Sequence, residues 1–343
     1  MSRLTLALDA MGGDIGPRIV IPASVKALEQ DPMLSLLLFG DCRQITPLIE
    51  HLPAEIANRL QVRHCTRTIE NNQDLSHALR HSKGTSMRLA IEAVRSGEAQ
   101  GCVSGGNTGA LMGLSKILLQ PLQGIHRPAL VSMIPTIEGE RSVMLDLGAN
   151  IECDAETLYQ FALMGSIFAQ NTLNLVYPRI ALLNIGTEEI KGYKSIRDAA
   201  KLLEQDGTLN YIGFLEGNFL LNGKADVIVS DGFIGNIALK TLEGAAKNLI
   251  GLLGGTTPGG IIRHMLRTIF RRLIKYLFKK RYAKLAQINP DQYNGASLIG
   301  LTSVVVKSHG SAGIEAFTYA IKDAAQQVRQ NIPNKILSGL QPD

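Results

Sequence analysis

Gly101-Cys102-Val103-Ser104-Gly105-Gly106-Asn107-Thr108-Gly109 is a short apolar run that ends in a turn of glycine, asparagine and threonine. Apolar residues at helical spacing follow at once, through position 119. The stretch reads as a strand, a tight turn and a helix N-terminus. Backbone N–H groups exposed at such a turn bind anions with little added positive charge. Leu147-Gly148-Ala149-Asn150, Asn184-Ile185-Gly186-Thr187-Glu188-Glu189 and Asp231-Gly232-Phe233-Ile234-Gly235-Asn236 repeat the design. Several such turns on one sheet edge would form a polar pocket for an anionic or carbonyl substrate.

Outward from this stretch, β-rich apolar runs fall at residues 4–8, 34–39, 101–104, 129–133, 142–145, 180–183, 211–214, 226–230 and 302–306. Amphipathic helical patterns lie at 17–30, 86–96, 108–119, 155–170, 195–204, 235–253 and 313–330. This alternation predicts a three-layer α/β/α fold whose sheet is mostly parallel and covered on both faces. Pro17 and Asp154 stand where helix starts favour proline and a capping acid. No helix separates 133 from 145, so a hairpin is expected there and the sheet is mixed. No repeat or long linker divides the chain, which predicts a single domain over 1–335, with an insertion at 254–288 that opens on the Gly254–Gly260 hinge sequence.

Hydrophobic residues make up 45% of the 343 and charged residues 19%, a composition that builds a core and excludes disorder. Cys42, Cys65, Cys102 and Cys153 are scattered, without metal-ligand spacing, and read as free thiols of a reducing cytoplasm. Asp9 interrupts the first apolar run too early for a signal peptide, and no run reaches the ~20 apolar residues of a membrane span. The net charge of +5 is concentrated: residues 261–285 hold nine Lys or Arg and no acid, leaving 26 basic against 30 acidic residues elsewhere. That balance argues against a nucleic-acid surface covering the fold.

The dinucleotide pattern Gly-x-Gly-x-x-Gly and the P-loop are absent. Asp9-Ala10-Met11-Gly12-Gly13-Asp14 sets two acids around a glycine pair at the end of the first strand. Lys191 follows the third turn closely, where a lysine can neutralise phosphate or polarise a carbonyl, or simply be solvated. His309, in Lys307-Ser308-His309-Gly310, stands where a histidine donates to an anion, acts as acid or base, or simply bonds a turn.

Taken in order, the turns at Asp9–Asp14, 104–111, 146–150, 184–189, 226–236 and 307–310 resemble those of the bacterial phosphate acyltransferases, the PlsX family, from about residue 4 to 331. Gly105, where many relatives carry alanine, is a small departure. The resemblance implies a fold similar to that of isocitrate and isopropylmalate dehydrogenases and of phosphotransacetylases, a homodimer, and no nicotinamide or other cofactor. It implies transfer of a fatty acyl group from acyl carrier protein to inorganic phosphate. The acyl phosphate would pass to a membrane glycerol-3-phosphate acyltransferase for phospholipid synthesis. Phosphate is already a nucleophile and a thiolate a good leaving group, so the chemistry requires positioning and an oxyanion site rather than a metal or a triad. The expected catalytic groups are Lys191, Asn236 and, third, His309. Expected substrate-binding positions are Asp9, Gly12, Gly13, Asp14, Ser104, Gly106, Asn107, Thr108, Gly109, Asn150, Gly186, Thr187, Glu188, Asp231 and Gly235.

In the basic segment, Ile262, Leu266, Ile269, Phe270, Leu273 and Leu277 share one helical face, opposite Arg263, Arg267, Arg271, Arg272 and Lys275. This predicts a helix lying on an anionic membrane surface and a peripherally membrane-associated cytoplasmic protein. A helix packed on its own domain or on a dimer partner, and a dock for acidic carrier protein, are the other readings. The competing functions are a short-chain phosphotransacylase using coenzyme A, an isocitrate-type dehydrogenase, which needs clustered metal-binding aspartates not found here, and a non-catalytic membrane adaptor.

Overall fold

The computed structural model describes residues 4–254 and 295–340. The expected membrane face, Ile262 to Leu277, lies outside the described residues, as does most of the 254–288 insertion. The strands are β1 (Leu4–Asp9), β2 (Leu34–Gly40), β3 (Leu60–His64), β4 (Gly101–Ser104), β5 (Ala129–Pro135), β6 (Arg141–Leu145), β7 (Arg179–Asn184), β8 (Asn210–Glu216), β9 (Val227–Val229), β10 (Ala296–Ile299) and β11 (Val304–Lys307). They form one sheet in the order β3-β2-β1-β4-β11-β10-β5-β6-β9-β7-β8.

β3, β2, β1, β4 and β11 run parallel to one another, and so do β6, β9, β7 and β8. Between these halves, β11–β10, β10–β5 and β5–β6 pair antiparallel. Three reversals leave the halves opposed in direction. The carboxyl ends of β1, β4 and β11 therefore meet one edge of the ladder, and those of β6, β9 and β7 the other. The expected β5–β6 hairpin is present, closed by Thr136 N–H donating to Glu140 O at 2.9 Å, with Gly139 at φ 92°.

Strand alternation explains the layers. Leu4, Leu6 and Leu8 of β1 join a core with Val20, Ile21 and Leu28 of helix Pro17–Gln30 and with Phe317 and Ile321 of helix Ile314–Arg329. Ala7, one residue out of phase, joins a core on the opposite face with Met87, Ala90 and Ile91 of helix Ser86–Arg95 and Leu111 and Leu114 of helix Thr108–Leu119. A third core seats Phe161 and Phe168 of helix Ala155–Thr172 against Val143, Leu145 and Val229. The sheet is thus covered on both faces. Helix starts follow capping chemistry: Pro17 occupies the first turn, Asp154 accepts from Thr157 N–H, and Asn107 accepts from Ala110 N–H.

Candidate functional site

The structure groups the polar turns differently from the single pocket expected. The turn after β4 lies at one edge, with Asp9–Asp14 and Lys307–Gly310. The turns after β6, β7 and β9 lie at the other. The reversal through β10, β5 and β6 is the reason.

At the first edge, register aligns Asp9 with Ser104 and Ser104 with Lys307, so the three project from the same face of neighbouring strands. All three are buried. Ser104 Oγ donates to Asp9 Oδ2 at 2.7 Å and accepts from Gly106 N–H at 3.0 Å. Lys307 Nζ donates to Gly105 O at 3.3 Å and to Ser308 O. Burial lowers the Lys307 ammonium from its ordinary value to about 8, opposed by the charges of Asp9 and Asp14. Burial lifts the Asp9 carboxyl above its ordinary value, while the Ser86 and Ser104 hydroxyls and the Met11 and Gly12 N–H groups oppose the shift. Asp9 Oδ1 has no hydrogen-bond partner among the described residues.

Two glycine turns close over this row. A Cβ on Gly12 would stand 2.6 Å from Asp9 Oδ2 and 2.8 Å from the Gly106 nitrogen, so only glycine lets the loops approach. Gly13 adopts φ 93°, and Asp14 N–H then donates to Gly310 O at 2.8 Å. Asp14 Oδ1 accepts from Asn71 Nδ2 at 2.8 Å, and Asn107 Nδ2 donates to Asn71 O at 2.8 Å. Asn107 thus caps its helix with its oxygen and ties a neighbouring loop with its nitrogen. Thr108 is exposed and Gly109 half-buried at the same helix start. His309 is exposed on the rim, its Nδ1 lying 2.9 Å from Ser311 Oγ.

At the second edge, the buried Asp146 carboxylate accepts from Leu130 N–H, Ala149 N–H, Asn150 N–H and Asn150 Nδ2 at 2.6–3.0 Å. Asn150 Nδ2 also donates to Pro128 O at 2.8 Å, so this amide latches the turn. Helix Gly232–Gly254 starts directly on that latch. Asp231 Oδ1 caps it through Ile234 N–H at 2.7 Å, and Gly232 N–H donates to Asn150 O at 2.7 Å. A Cβ on Gly235 would lie 1.9 Å from Asp146 O. Asn236, one residue on, is half-buried and packs beside Gly148.

The β7 turn shares this edge. A Cβ on Gly186 would meet Glu188 Oε2 at 2.6 Å and Lys191 Cγ at 3.2 Å, so both side chains fold back over the glycine. Thr187, Glu188 and Lys191 are exposed. Asn184 Nδ2 donates to Lys191 O at 3.2 Å and fixes the loop's return. Lys191 and Asn236 therefore belong to one edge and His309 to the other. Ile185, Ile190, Phe233 and Ile237, large and apolar, are exposed around the Lys191 and Asn236 turns.

Lys307 and Asp146, which open two of the quoted motifs, and Asn71 take part in these contacts but are not among the expected site residues. Lys307 carried one signal, a charge closing the otherwise apolar run Val304–Lys307. Among the described residues, no group of three or more His, Cys, Asp or Glu is arranged to hold a metal ion. None of their helices is long and apolar enough to cross a membrane.

Comparison with known proteins adds a relationship to this geometry. The family described as fatty acid synthesis protein matches residues 4–335. The phosphate acyltransferase of Mannheimia succiniciproducens is 73% identical over 341 residues, covering 99% of this chain and 100% of that protein. That of Pasteurella multocida is 72% identical, covering 99% of each. Among solved structures, a phosphotransacetylase from Streptococcus pyogenes superposes with a TM-score of 0.63 at 16% identity, covering 95% of this chain and 94% of that one. A 4-hydroxythreonine-4-phosphate dehydrogenase from Klebsiella pneumoniae gives 0.52 at 14% identity, covering 96% and 98%. These two likenesses concern the fold.

Proposed function

Because this chain belongs to the phosphate acyltransferase family of fatty acid synthesis proteins, we propose that it transfers a fatty acyl group from the thioester of acyl carrier protein to inorganic phosphate. A phosphate oxygen attacks the thioester carbonyl, a C–O bond forms, the C–S bond breaks, and the sulfur leaves as a thiolate that takes up a proton. The observation that carries this reading is the identity to curated phosphate acyltransferases across the whole chain. The site chemistry is compatible with it. Lys191 supplies an exposed cation and Asn236 an amide donor for the developing oxyanion, whereas His309, at the other edge, is set apart from them. The exposed Ile185, Ile190, Phe233 and Ile237 offer apolar surface for an acyl chain.

The same reading extends to a homodimer in the cytoplasm that reversibly touches anionic membrane through residues 261–285 and delivers acyl phosphate to a membrane glycerol-3-phosphate acyltransferase. The test of the chemistry is thiol release from a long-chain acyl carrier protein with and without phosphate. Phosphate-dependent release supports the proposal. Release only from acetyl- or butyryl-coenzyme A moves it to a short-chain phosphotransacylase, and no release from any thioester removes it. Flotation with anionic vesicles tests the membrane contact, which fails if Leu266→Glu with Ile269→Glu leaves binding unchanged.

A further inference from the structure

We propose that Lys307 is the cation of a phosphate-class oxyanion site at the β1–β4–β11 edge, formed with the Asp9–Asp14 and Ser104–Asn107 turns. The proposal rests on the acyl-transfer reading only for which phosphate enters.

Lys307 is 9% exposed, a rare state for a lysine unless it is paired or has work to do. It forms no ion pair with Asp9 or Asp14 within 4.0 Å among the described residues. Two of its three N–H donors go to the carbonyls of Gly105 and Ser308, and the third has no partner among the described residues. The Gly105 carbonyl binds it to the glycine turn of the helix Thr108–Leu119, whose N-terminus adds partial positive charge. Register fixes Lys307 beside Ser104 and Ser104 beside Asp9, and Ser104 Oγ is held by Asp9 Oδ2 and Gly106 N–H. The lysine is therefore supported on rigid strand ends rather than on a loop.

Asp9 bears on the choice of ligand. Its Oδ1 is buried and unpartnered, on the same face as Lys307. Burial raises this carboxyl above its ordinary value, and a carboxyl that takes up a proton donates to an oxyanion where a carboxylate repels it. A cation, a carboxyl able to hold a proton and backbone N–H groups together suit a tetrahedral oxyanion with several acceptor oxygens. Two sources share this chemistry under the proposed reaction: free inorganic phosphate and the phosphate ester of the acyl donor.

The test uses the full chain and inorganic phosphate. Calorimetric titration compares wild type with Lys307→Met and Lys307→Arg, and steady-state assays separate KM for phosphate from KM for the acyl donor. The expected result is at least tenfold weaker phosphate binding in Lys307→Met, partly restored in Lys307→Arg. Unchanged KM for phosphate with a tenfold rise for the acyl donor assigns the same site to the donor's phosphate ester. Unchanged values for both overturn the proposal. Amide exchange on wild type needs no variant: saturating phosphate, or the acyl donor, should slow exchange in peptides spanning 104–107 and 308–310. Protection confined to 147–150 and 185–192, or found nowhere, overturns it. Phosphate binding is read directly, so a chain inactive in acyl transfer still reports on the site.

Discussion

Burying the Lys307 ammonium makes stability depend on alkaline pH in a way that replacing it by methionine should erase. In the unfolded chain the lysine titrates near 10.5, and in the fold near 8. Below pH 8 both states carry the proton, and the fold bears the full penalty of the buried charge. Between 8 and 10.5 the folded protein sheds its proton first, so the unfolded state binds more protons and stability rises with pH. Above 10.5 both are neutral and the rise is complete. Each pH unit of displacement is ~1.36 kcal/mol, so the full rise is roughly 3 kcal/mol. Urea unfolding at pH 7, 8, 9 and 10 provides the assay. Other groups contribute in this range too, Cys65 among them, whose thiol burial lifts from 9.0 to about 11, so the quantity to follow is the wild-type stability minus that of Lys307→Met. It should climb by about 2–3 kcal/mol from pH 7 to 10. A flat difference, or one that falls, would refute a buried, charge-strained Lys307.

Three further outcomes follow from the geometry. Gly235→Ala places a methyl 1.9 Å from Asp146 O, so the helix start must retreat by roughly an ångström, at a cost near or above the ~3 kcal/mol upper range for overpacking; a urea midpoint equal to wild type would contradict it. Gly105→Ala, by contrast, brings its Cβ no nearer than 3.4 Å to Gly12 O and the Gly13 backbone, without a positive φ, and should change unfolding free energy by less than ~1 kcal/mol with turnover near normal. Lys191→Ala and Asn236→Ala should each cut acyl-transfer turnover at least ~tenfold, about 1.4 kcal/mol in barrier, with little change in unfolding midpoint; near-normal turnover in a folded variant removes that residue from the mechanism.

Local chemistry was legible in the sequence and long-range pairing was not. The helix over Thr108–Leu119 and its Asn107 cap follow from residues adjacent in the chain. β3, Leu60–His64, escaped notice because it is an edge strand whose Gln61, Arg63 and His64 interrupt the apolar pattern. β10 escaped because four residues carry no periodicity. The reversal that separates the turns depends on β10, so the expectation of one sheet edge fell with that missing strand. Lys307 was hidden for a related reason. It meets the Gly105 turn across 202 residues, and Ser104 meets Asp9 across 95, contacts that exist only once β1, β4 and β11 lie side by side.

Burial raises both Asp9 and Asp146, but the two edges differ in how completely these carboxyls are hydrogen-bonded. At Asp146 four hydrogen bonds surround a buried carboxylate, and its neighbours Asn150 and Asp231 are engaged in a latch and a cap. That arrangement is nearly self-sufficient and serves to hold the Gly232 helix start, so that Asn236 is presented on a fixed backbone. At Lys307 the arrangement is incomplete: one ammonium donor and one carboxyl oxygen of Asp9 find no partner among the described residues. A buried charge left partly unsatisfied lowers stability, and folds retain such strain where a ligand completes the site. The same side chain should therefore respond both to ligand and to pH in two separate assays. Occupancy by an oxyanion should stabilise wild type and not Lys307→Met, while raising the pH from 7 to 10 without ligand should raise the stability of wild type relative to Lys307→Met.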